Sequence, residues 1–254
     1  MQILLSCAKD MNTAAAGYRK KLRAPLFQKE AQEAIEKISS WNIDKLQHDF
    51  KCSEEIAAMN LKRFRDFLNE GERIPACLLY DGVAYRHLKA EDFNEYEKEY
   101  ADRHLWITSF LYGLLRPMDG IRPYRMEGNI RPDGENGPNR FHYWKPRLTD
   151  LLIESVQADD RILYYLSTEE MTRLFDWKRI CEEVRVIEPQ FIYDDGKKEK
   201  TLSVHAKMCR GAMTRYIITN RINSPDELKG FTYNGYEYDE KLSSEDRPVF
   251  ICRK

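Results

Sequence analysis

The sequence predicts an α/β (α+β) fold: one domain over residues 1–254, with a mixed β-sheet core flanked by helices. Three observations support this prediction. A length of 254 residues suits a single large domain with a sizeable core. Short apolar runs occur between longer segments with helical spacing. No internal repeat, low-complexity tract or long linker divides the chain.

The predicted strands are short runs rich in aliphatic, β-branched and aromatic residues. They are QILLS (2–6), ACLLY (76–80), RILYYL (161–166), VRVIE (184–188), QFIYD (190–194), KTLSVHA (200–206) and PVFICR (248–253). The pair Asp195-Gly196 predicts a hairpin between two of them, and Asn234-Gly235 predicts another within FTYNGYEYDE.

The predicted helices follow capping residues or show a 3.6-residue apolar period. They begin after Pro25, after Ser53, near Phe93, at Lys145 with Pro146 in the first turn, at a Ser167–Glu170 capping box, at Ala206 and after Ser224. The helix near Phe93 is expected to continue into HLWITSF (104–110). Residues 116–139, rich in Pro and Gly, predict a loop.

Composition excludes several classes of protein. With 42% hydrophobic and 12% aromatic residues the chain is not disordered, and no apolar run is long enough to cross a membrane. The N-terminal MQILLSCAKD lacks the basic region of a secretory signal, so the sequence predicts a cytoplasmic protein without a membrane partner. The net charge is −1, so any anion-binding surface must come from local clustering.

The cysteines and histidines do not predict a cofactor or a metal site. The six cysteines lack CxxC spacing and are expected to be free thiols. His205 and Cys209 are four residues apart, but we expect His205 on a strand, where the two could not chelate together.

The segment AKMCRGAMTRYIITNRI, residues 206–222, predicts a helix with an unusual basic face. Lys207, Arg210 and Arg221 share a side with Gly211, and Arg215 adds a further cation. Glycine inside a helix costs about 1 kcal/mol relative to alanine, and close approach of another backbone or of a ligand would explain it. The cations form either a solvated surface with incidental ion pairs or a wall that binds phosphates.

Two loops carry further candidate groups. Gly113 is followed by Arg116, Arg122, Tyr124 and Arg125. A glycine turn between two short helices would present backbone N–H groups to a DNA phosphate; alternatively, Gly113 only ends a helix and the arginines hold a long loop in place.

The first strand is followed by Ser6, Cys7 and Lys9. Ser6 and Lys9 could hold an anion or activate a nucleophile, and Lys9 could lower the pKa of the Cys7 thiol. An ordinary strand end with a solvated lysine is the alternative.

Three motifs occur in order along the chain. They comprise Ser6, Ala8 and Lys9; the run from Leu111 to Asp119 with Pro123, Tyr124 and Arg125; and Ala206, Lys207, Arg210, Gly211, Met213, Arg215, Tyr216, Asn220 and Arg221. With these motifs the sequence resembles the YaaA peroxide-stress family of the bacterial cytoplasm. Cys7 replaces a proline of the first motif. The chain has Thr168, Glu169, Glu170 and Met171 where the family often has a tyrosine in the fourth place, so no role for that tyrosine is transferred.

The resemblance implies protection against hydrogen peroxide through a lower level of free iron. It also implies non-specific binding of double-stranded DNA by a helix-hairpin-helix-like element and a basic cleft. Gly113 is the candidate for that element, and the Lys207 helix is the candidate for the cleft wall. Because the sequence contains no iron site of ordinary ligand spacing, we expect any effect on iron to be indirect or to use a site assembled from distant residues.

Two functional hypotheses follow. In the first, DNA phosphates are contacted by Ser6, Lys9, Gly113, Arg116, Arg122, Arg125, Lys207, Arg210, Arg215 and Arg221. In the second, an enzyme or small-molecule binder takes a nucleotide, nucleobase or other small anionic ligand in a pocket lined by Ser6, Lys9, Tyr124, Glu169, Glu170, Lys207 and Arg210. Convergence of these side chains on an enclosed cavity favours the second hypothesis, and a broad open groove favours the first.

Overall fold

The computed structural model describes residues 1–15, 18, 22–69 and 71–254. The strands in this part of the chain are β1 (Gln2–Leu5), β2 (Ile74–Pro75), β3 (Leu105–Ser109), β4 (Gly113–Leu115), β5 (Gly120–Ile121), β6 (Ile162–Leu166), β7 (Arg185–Ile187), β8 (Gln190–Asp194), β9 (Glu199–Lys200), β10 (Glu237–Tyr238) and β11 (Val249–Arg253).

The α-helices in the same residues are α1 (Gln28–Ser39), α2 (Ile43–Phe50), α3 (Glu54–Phe67), α4 (Ala76–Leu79), α5 (Val83–Leu88), α6 (Glu95–His104), α7 (Arg140–Gln157), α8 (Trp177–Glu183) and α9 (Ser203–Asn220). Short 3-10 helices cover Thr13–Ala15, Ala90–Asp92, Glu169–Leu174 and Pro225–Gly230. None of the helices described is both long and apolar enough to cross a membrane.

A five-stranded sheet lies at the centre, in the order β4-β3-β1-β6-β7. β3, β1, β6 and β7 are parallel, and β4 is antiparallel to β3. Ile3 of β1 lies opposite Leu105 of β3 and Tyr164 of β6. Every residue of β1 is buried, which explains why Ile3, Leu4 and Leu5 are consecutive apolar residues and do not alternate with polar ones.

The connections of the central sheet change direction at β1 and β6. The chain passes from β1 to β3 on one side, whereas β6 leads to β7 on the other side. In open α/β sheets, ligands bind in the crevice beyond the carboxyl ends of two such strands. The fold therefore directs attention to the loops that begin at Ser6 and Ser167.

The prediction of a mixed sheet flanked by helices is confirmed, but the strands do not form one sheet. β10-β11-β8-β9 make a second, mixed sheet, and β2 and β5 make a small antiparallel pair. The hairpin between β8 and β9 and the turn at Asn234-Gly235 are both present. Asn234 and Gly235 have φ of 48° and 81°, as a tight two-residue turn requires.

Four predicted elements have a different structure. ACLLY contains the helical turn α4, and HLWITSF contains β3 instead of extending α6. In KTLSVHA only the first residue, Lys200, belongs to a strand, and His205 lies in α9. Asn139 caps α7 through the N–H of His142, so that helix starts before Lys145, and Pro146 lies inside it. Short apolar runs do not distinguish a strand from a helix, and these segments show that ambiguity.

The contact between α5 and α9 explains the glycine in the basic helix. A Cβ atom on Gly211 would lie 1.8 Å from the carbonyl oxygen of Ala84. The backbones of the two helices therefore approach more closely than any side chain at position 211 allows. Thr214 and Ile218, on the same side of α9, are fully buried, so this face of the helix is an internal surface.

We predict that Gly211→Ala lowers the free energy of unfolding by at least about 2 kcal/mol, because the added methyl group forces the two helices apart. Urea denaturation measures this change. Val204→Ala in the same helix, where the side chain is 62% exposed, is the control and should change stability by less than about 0.5 kcal/mol. Since alanine is the better helix former, a gain in stability at Gly211 would contradict the close contact.

Candidate functional site

A cavity of about 320 Å³ lies beyond the carboxyl ends of β1 and β6. Its polar and ionisable lining residues are Ser6, Cys7, Lys9, Asp10, Tyr85, Tyr124, Arg125, Thr168, Glu170, Lys207 and Arg210. Its apolar lining residues include Leu5, Ala8, Val83, Ala84, Phe110, Met126, Leu166 and Met171. Residues from all three sequence motifs therefore meet at one cavity that is partly open to solvent.

Ser6 connects the loops that follow β1 and β6. Its Oγ accepts a hydrogen bond from the Thr168 N–H at 2.9 Å and lies 2.6 Å from the Ser167 Oγ. Tyr85 donates its hydroxyl to the Ser6 carbonyl at 2.9 Å. Ser6 is thus engaged in holding the cavity wall, and Ser167 is buried beneath it instead of capping the following 3-10 helix.

Cys7 is a protonated thiol on the cavity wall. Burial, together with the negative charges of Glu170 and Glu127, raises its pKa to about 12. The expectation that Lys9 lowers this pKa is wrong, because the Lys9 ammonium is paired with Glu127 at 2.9 Å. Cys7 therefore contributes a weakly polar thiol to the cavity wall and not a thiolate nucleophile.

Glu127 binds two of the cations at the cavity. One carboxylate oxygen contacts Lys9, and the other lies 3.0 Å from Arg125. Arg125 is 19% exposed, and its Nε is buried without a hydrogen-bond partner. A buried N–H donor without an acceptor is unfavourable, so the Arg125 Nε is an exception to the usual pairing of buried polar groups.

Lys207 and Arg210 face the cavity from α9, three residues apart on one side of the helix. Arg210 is half-buried, and burial lowers its pKa. Neither side chain forms a salt bridge or hydrogen bond with any residue in the described ranges. The electrostatic partners of Arg210 are Tyr165 and Glu188, and both act without direct contact.

Tyr124 and Glu170 complete the predicted pocket, whereas Glu169 does not line it. Tyr124 is buried, and its hydroxyl lies 2.6 Å from both the Tyr80 hydroxyl and the Ser109 Oγ. Burial raises the pKa of Tyr124 well above 10, so the phenol is neutral. Glu170 is exposed at the cavity and forms no salt bridge with the described residues.

Gly113 and Arg116 do not belong to this site. Gly113 begins β4 after a turn from β3, with φ of 72°, and its α-carbon packs against Trp144. The prediction of a glycine turn between two helices is therefore wrong at Gly113. The backbone of Gly113 is buried and is not presented to DNA. The Arg116 guanidinium stacks 3.3 Å from the centre of the Trp106 ring and donates to Gln2 at the amino end of β1, away from Ser6.

Three other predicted cations are used at helix ends. Arg122 donates to the carbonyls of Asp66, Phe67 and Gly71, at and just beyond the end of α3. Arg215 donates to those of Leu88 and Lys89 at the end of α5. Arg221 ends α9 in the left-handed conformation with φ of 51°. None of the three lines the cavity, and Arg122 and Arg215 satisfy helix carbonyls instead.

Sequence reasoning missed the apolar walls of the cavity and the role of Gly82. A Cβ atom on Gly82 would lie 2.7 Å from the Cβ of Ala8, so glycine lets α5 approach the Ser6 loop. The pair Asp81-Gly82 was interpretable only as a turn. Phe110 and Met126 look like ordinary core residues in the sequence, and only the fold shows that they border a cavity.

In the described residues no group of three or more His, Cys, Asp or Glu side chains is arranged to hold a metal ion. His205 and Cys209 do lie one turn apart on α9, contrary to the strand prediction. The His205 Nδ1 is 2.9 Å from the Tyr236 hydroxyl, and Cys209 is fully buried.

Comparison with known proteins identifies full-length relatives. A family model described as peroxide stress protein YaaA matches residues 1–242. A UPF0246 protein of Bacteroides thetaiotaomicron is 43% identical over 252 residues, which cover 99% of this chain and 98% of that protein. A UPF0246 protein of Porphyromonas gingivalis is 37% identical over 261 residues and 99% of each chain. These matches confirm the resemblance carried by the three motifs.

We predict that Cys7 in the folded protein reacts with iodoacetamide at about pH 8 at least about a hundred times more slowly than the exposed Cys181. The reason is that burial keeps the Cys7 thiol protonated up to pH of about 12. Peptide mass spectrometry after timed alkylation measures both rates. The two rates should converge in denaturing urea, and equal rates in the folded protein would show that the Cys7 thiol is accessible and ionised.

Proposed function

Because the chain belongs to the peroxide stress protein YaaA family, we propose that it contributes to peroxide resistance by binding a small anionic ligand in the cavity beyond β1 and β6. The family resemblance supports the connection with peroxide stress and the expected cytoplasmic location. The convergence of the cations Lys207, Arg210 and Arg125 on one cavity supports the anionic ligand.

The proposal rests on the environment of Arg210, which is half-buried at the cavity and forms no salt bridge with the described residues. Two other arginines of low exposure have partners: Arg140, 2% exposed, donates to the carbonyls of Phe110 and Leu111, and Arg116 stacks on Trp106. Arg63 on α3 is half-buried and, like Arg210, has no hydrogen bond or salt bridge with the described residues, but it does not line this cavity. Arg210 has no such partner among the described residues and borders a cavity. Removing a charged group from water costs free energy unless an opposite charge or hydrogen bonds compensate, and an anionic ligand would supply both.

The chemistry of the lining fits such a ligand. An arginine offers a planar fork of donors and a lysine offers a compact charge, which together suit phosphate or carboxylate oxygens. Thr168 and the unpaired Glu170 can hydrogen-bond neighbouring groups of the same molecule. The cavity volume lies at the small end of the range of about 300–1,000 Å³ for small-molecule sites.

Double-stranded DNA is a second proposed ligand. The Lys9 side chain is 61% exposed, and Lys207 is exposed at the same cavity, so both can reach a phosphate outside it. Non-specific DNA binding and a lower level of free iron remain predictions from the family resemblance. Of the cations first considered for DNA, we retain Lys9, Arg125, Lys207 and Arg210, because only these line the cavity.

We predict that Arg210→Gln weakens the binding of pyrophosphate to the full-length protein at least tenfold, which is about 1.4 kcal/mol. Isothermal titration calorimetry measures the affinity, and Arg221→Gln on the same helix is the matched control, with unchanged affinity. Circular dichroism shows that each variant is folded. Equal affinities of the wild type and Arg210→Gln, or no binding of pyrophosphate, inorganic phosphate or any phosphate monoester, would refute the proposed site.

Fluorescence anisotropy with a labelled duplex tests the second ligand. If DNA binds at the cavity mouth, affinity should fall steeply with salt, and Lys9→Gln combined with Lys207→Gln should reduce the slope of log K against log salt by about 2. Lys178→Gln, at an 87% exposed position on α8, is the control. No binding at low salt, or an unchanged slope in the double variant, would rule out DNA at this site.

A further inference from the structure

We infer that the ligand is a 5′-phosphorylated nucleoside, bound with its phosphate at Lys207 and Arg210 and its base against the apolar wall. This inference rests on the proposed function and specifies its ligand. The shared chemistry is that of a nucleotide, whether it is free or is part of a nucleic-acid strand.

The lining of the cavity combines charged side chains with apolar ones. Lys207 and Arg210 are unpaired with the described residues and adjacent on α9, so both can bind the oxygens of one phosphate. Phe110, Met126 and Met171 border the same cavity. An aromatic ring and two pliable thioethers suit the face of a flat heterocycle better than the hydroxyl groups of a sugar.

Glu170 favours a nucleoside over a simple aromatic acid. Its carboxylate is exposed at the cavity and has no salt bridge with the described residues, so it can accept a hydrogen bond from an N–H or O–H donor of a ligand. The same carboxylate repels a second anionic group of a ligand. A nucleotide combines a phosphate, a flat ring and the donors of a base edge or ribose. These three features match, in turn, the two cations, the apolar residues and the carboxylate of the lining.

The size of the cavity limits the ligand. A volume of about 320 Å³ suits a ligand of the size of one nucleotide and is too small to enclose a DNA duplex. A nucleotide from a polymer would therefore enter only from a single strand or after leaving a base stack.

Calorimetric titration of the full-length protein with AMP, GMP, CMP and UMP tests this inference. The comparison probes are the nucleosides, ribose 5-phosphate, inorganic phosphate and 4-aminobenzoate. We expect at least one mononucleotide to bind ten times more tightly than its nucleoside, ribose 5-phosphate and 4-aminobenzoate. A short single-stranded oligonucleotide that binds still more tightly, with affinity lost in Arg210→Gln, would support the inference and identify nucleic acid as the source.

Two pairs of variants locate the bound groups. Arg210→Gln should remove the advantage of the nucleotide over the nucleoside, whereas Arg221→Gln should not. Glu170→Gln should change the order of affinity among the four nucleotides, whereas Glu169→Gln, at a neighbouring exposed residue outside the cavity, should leave it unchanged.

The possible failures are distinguishable. If ribose 5-phosphate or 4-aminobenzoate binds within threefold of the best nucleotide, the nucleoside inference is wrong and the proposed anion site stands. If neither phosphate, pyrophosphate nor any nucleotide binds, the proposed function fails together with this inference.

Discussion

The close contact between α9 and α5 determines where the candidate site lies. At Gly211 the backbone of α9 contacts the backbone of Ala84 in α5. At Gly82, which immediately precedes α5, the chain contacts Ala8 in the loop after β1. Lys207 and Arg210 precede Gly211 on the same side of α9 and are thereby held beside the carboxyl end of the central sheet. A side chain at either glycine would separate the basic helix from the Ser6 loop, so the site depends on two backbone approaches that only glycine permits.

The arginines and lysines of this chain perform different tasks. Arg122 and Arg215 satisfy carbonyls at the ends of α3 and α5, and Arg116 packs on an aromatic ring at the far end of the sheet. Lys9 and Arg125 share the carboxylate of Glu127. Lys207 and Arg210 are the lining cations without a salt bridge to a described residue, and the carboxylates of Asp10 and Glu170 line the same cavity. A protein with a net charge of only −1 can therefore present a locally cationic site.

Much of the fold could be predicted from the sequence, because β1, β6 and β11 are bounded apolar runs and the Asn234-Gly235 turn has a specific backbone requirement. The convergence of Ser6, Lys9, Tyr124, Glu170, Lys207 and Arg210 was also predictable, through the family motifs. The positions of Gly113 and Arg116 could not be predicted in this way. For Gly113 the reason is that a sequence does not show whether a glycine joins two helices or two strands. Nor does it show whether a guanidinium meets a ligand, a ring or a carbonyl: that depends on which element packs beside it. For the same reason the apolar cavity wall was invisible before the strand order was known.

The central claim is that an anion binds between α9 and the loops after β1 and β6. Its most direct test is a crystal structure of the protein grown or soaked with AMP. The account predicts electron density for a phosphate within hydrogen-bonding distance of both Lys207 and Arg210, with the base beside Phe110. Nucleotide density at another surface, with the Arg210 guanidinium bound instead to a protein carboxylate, would contradict it.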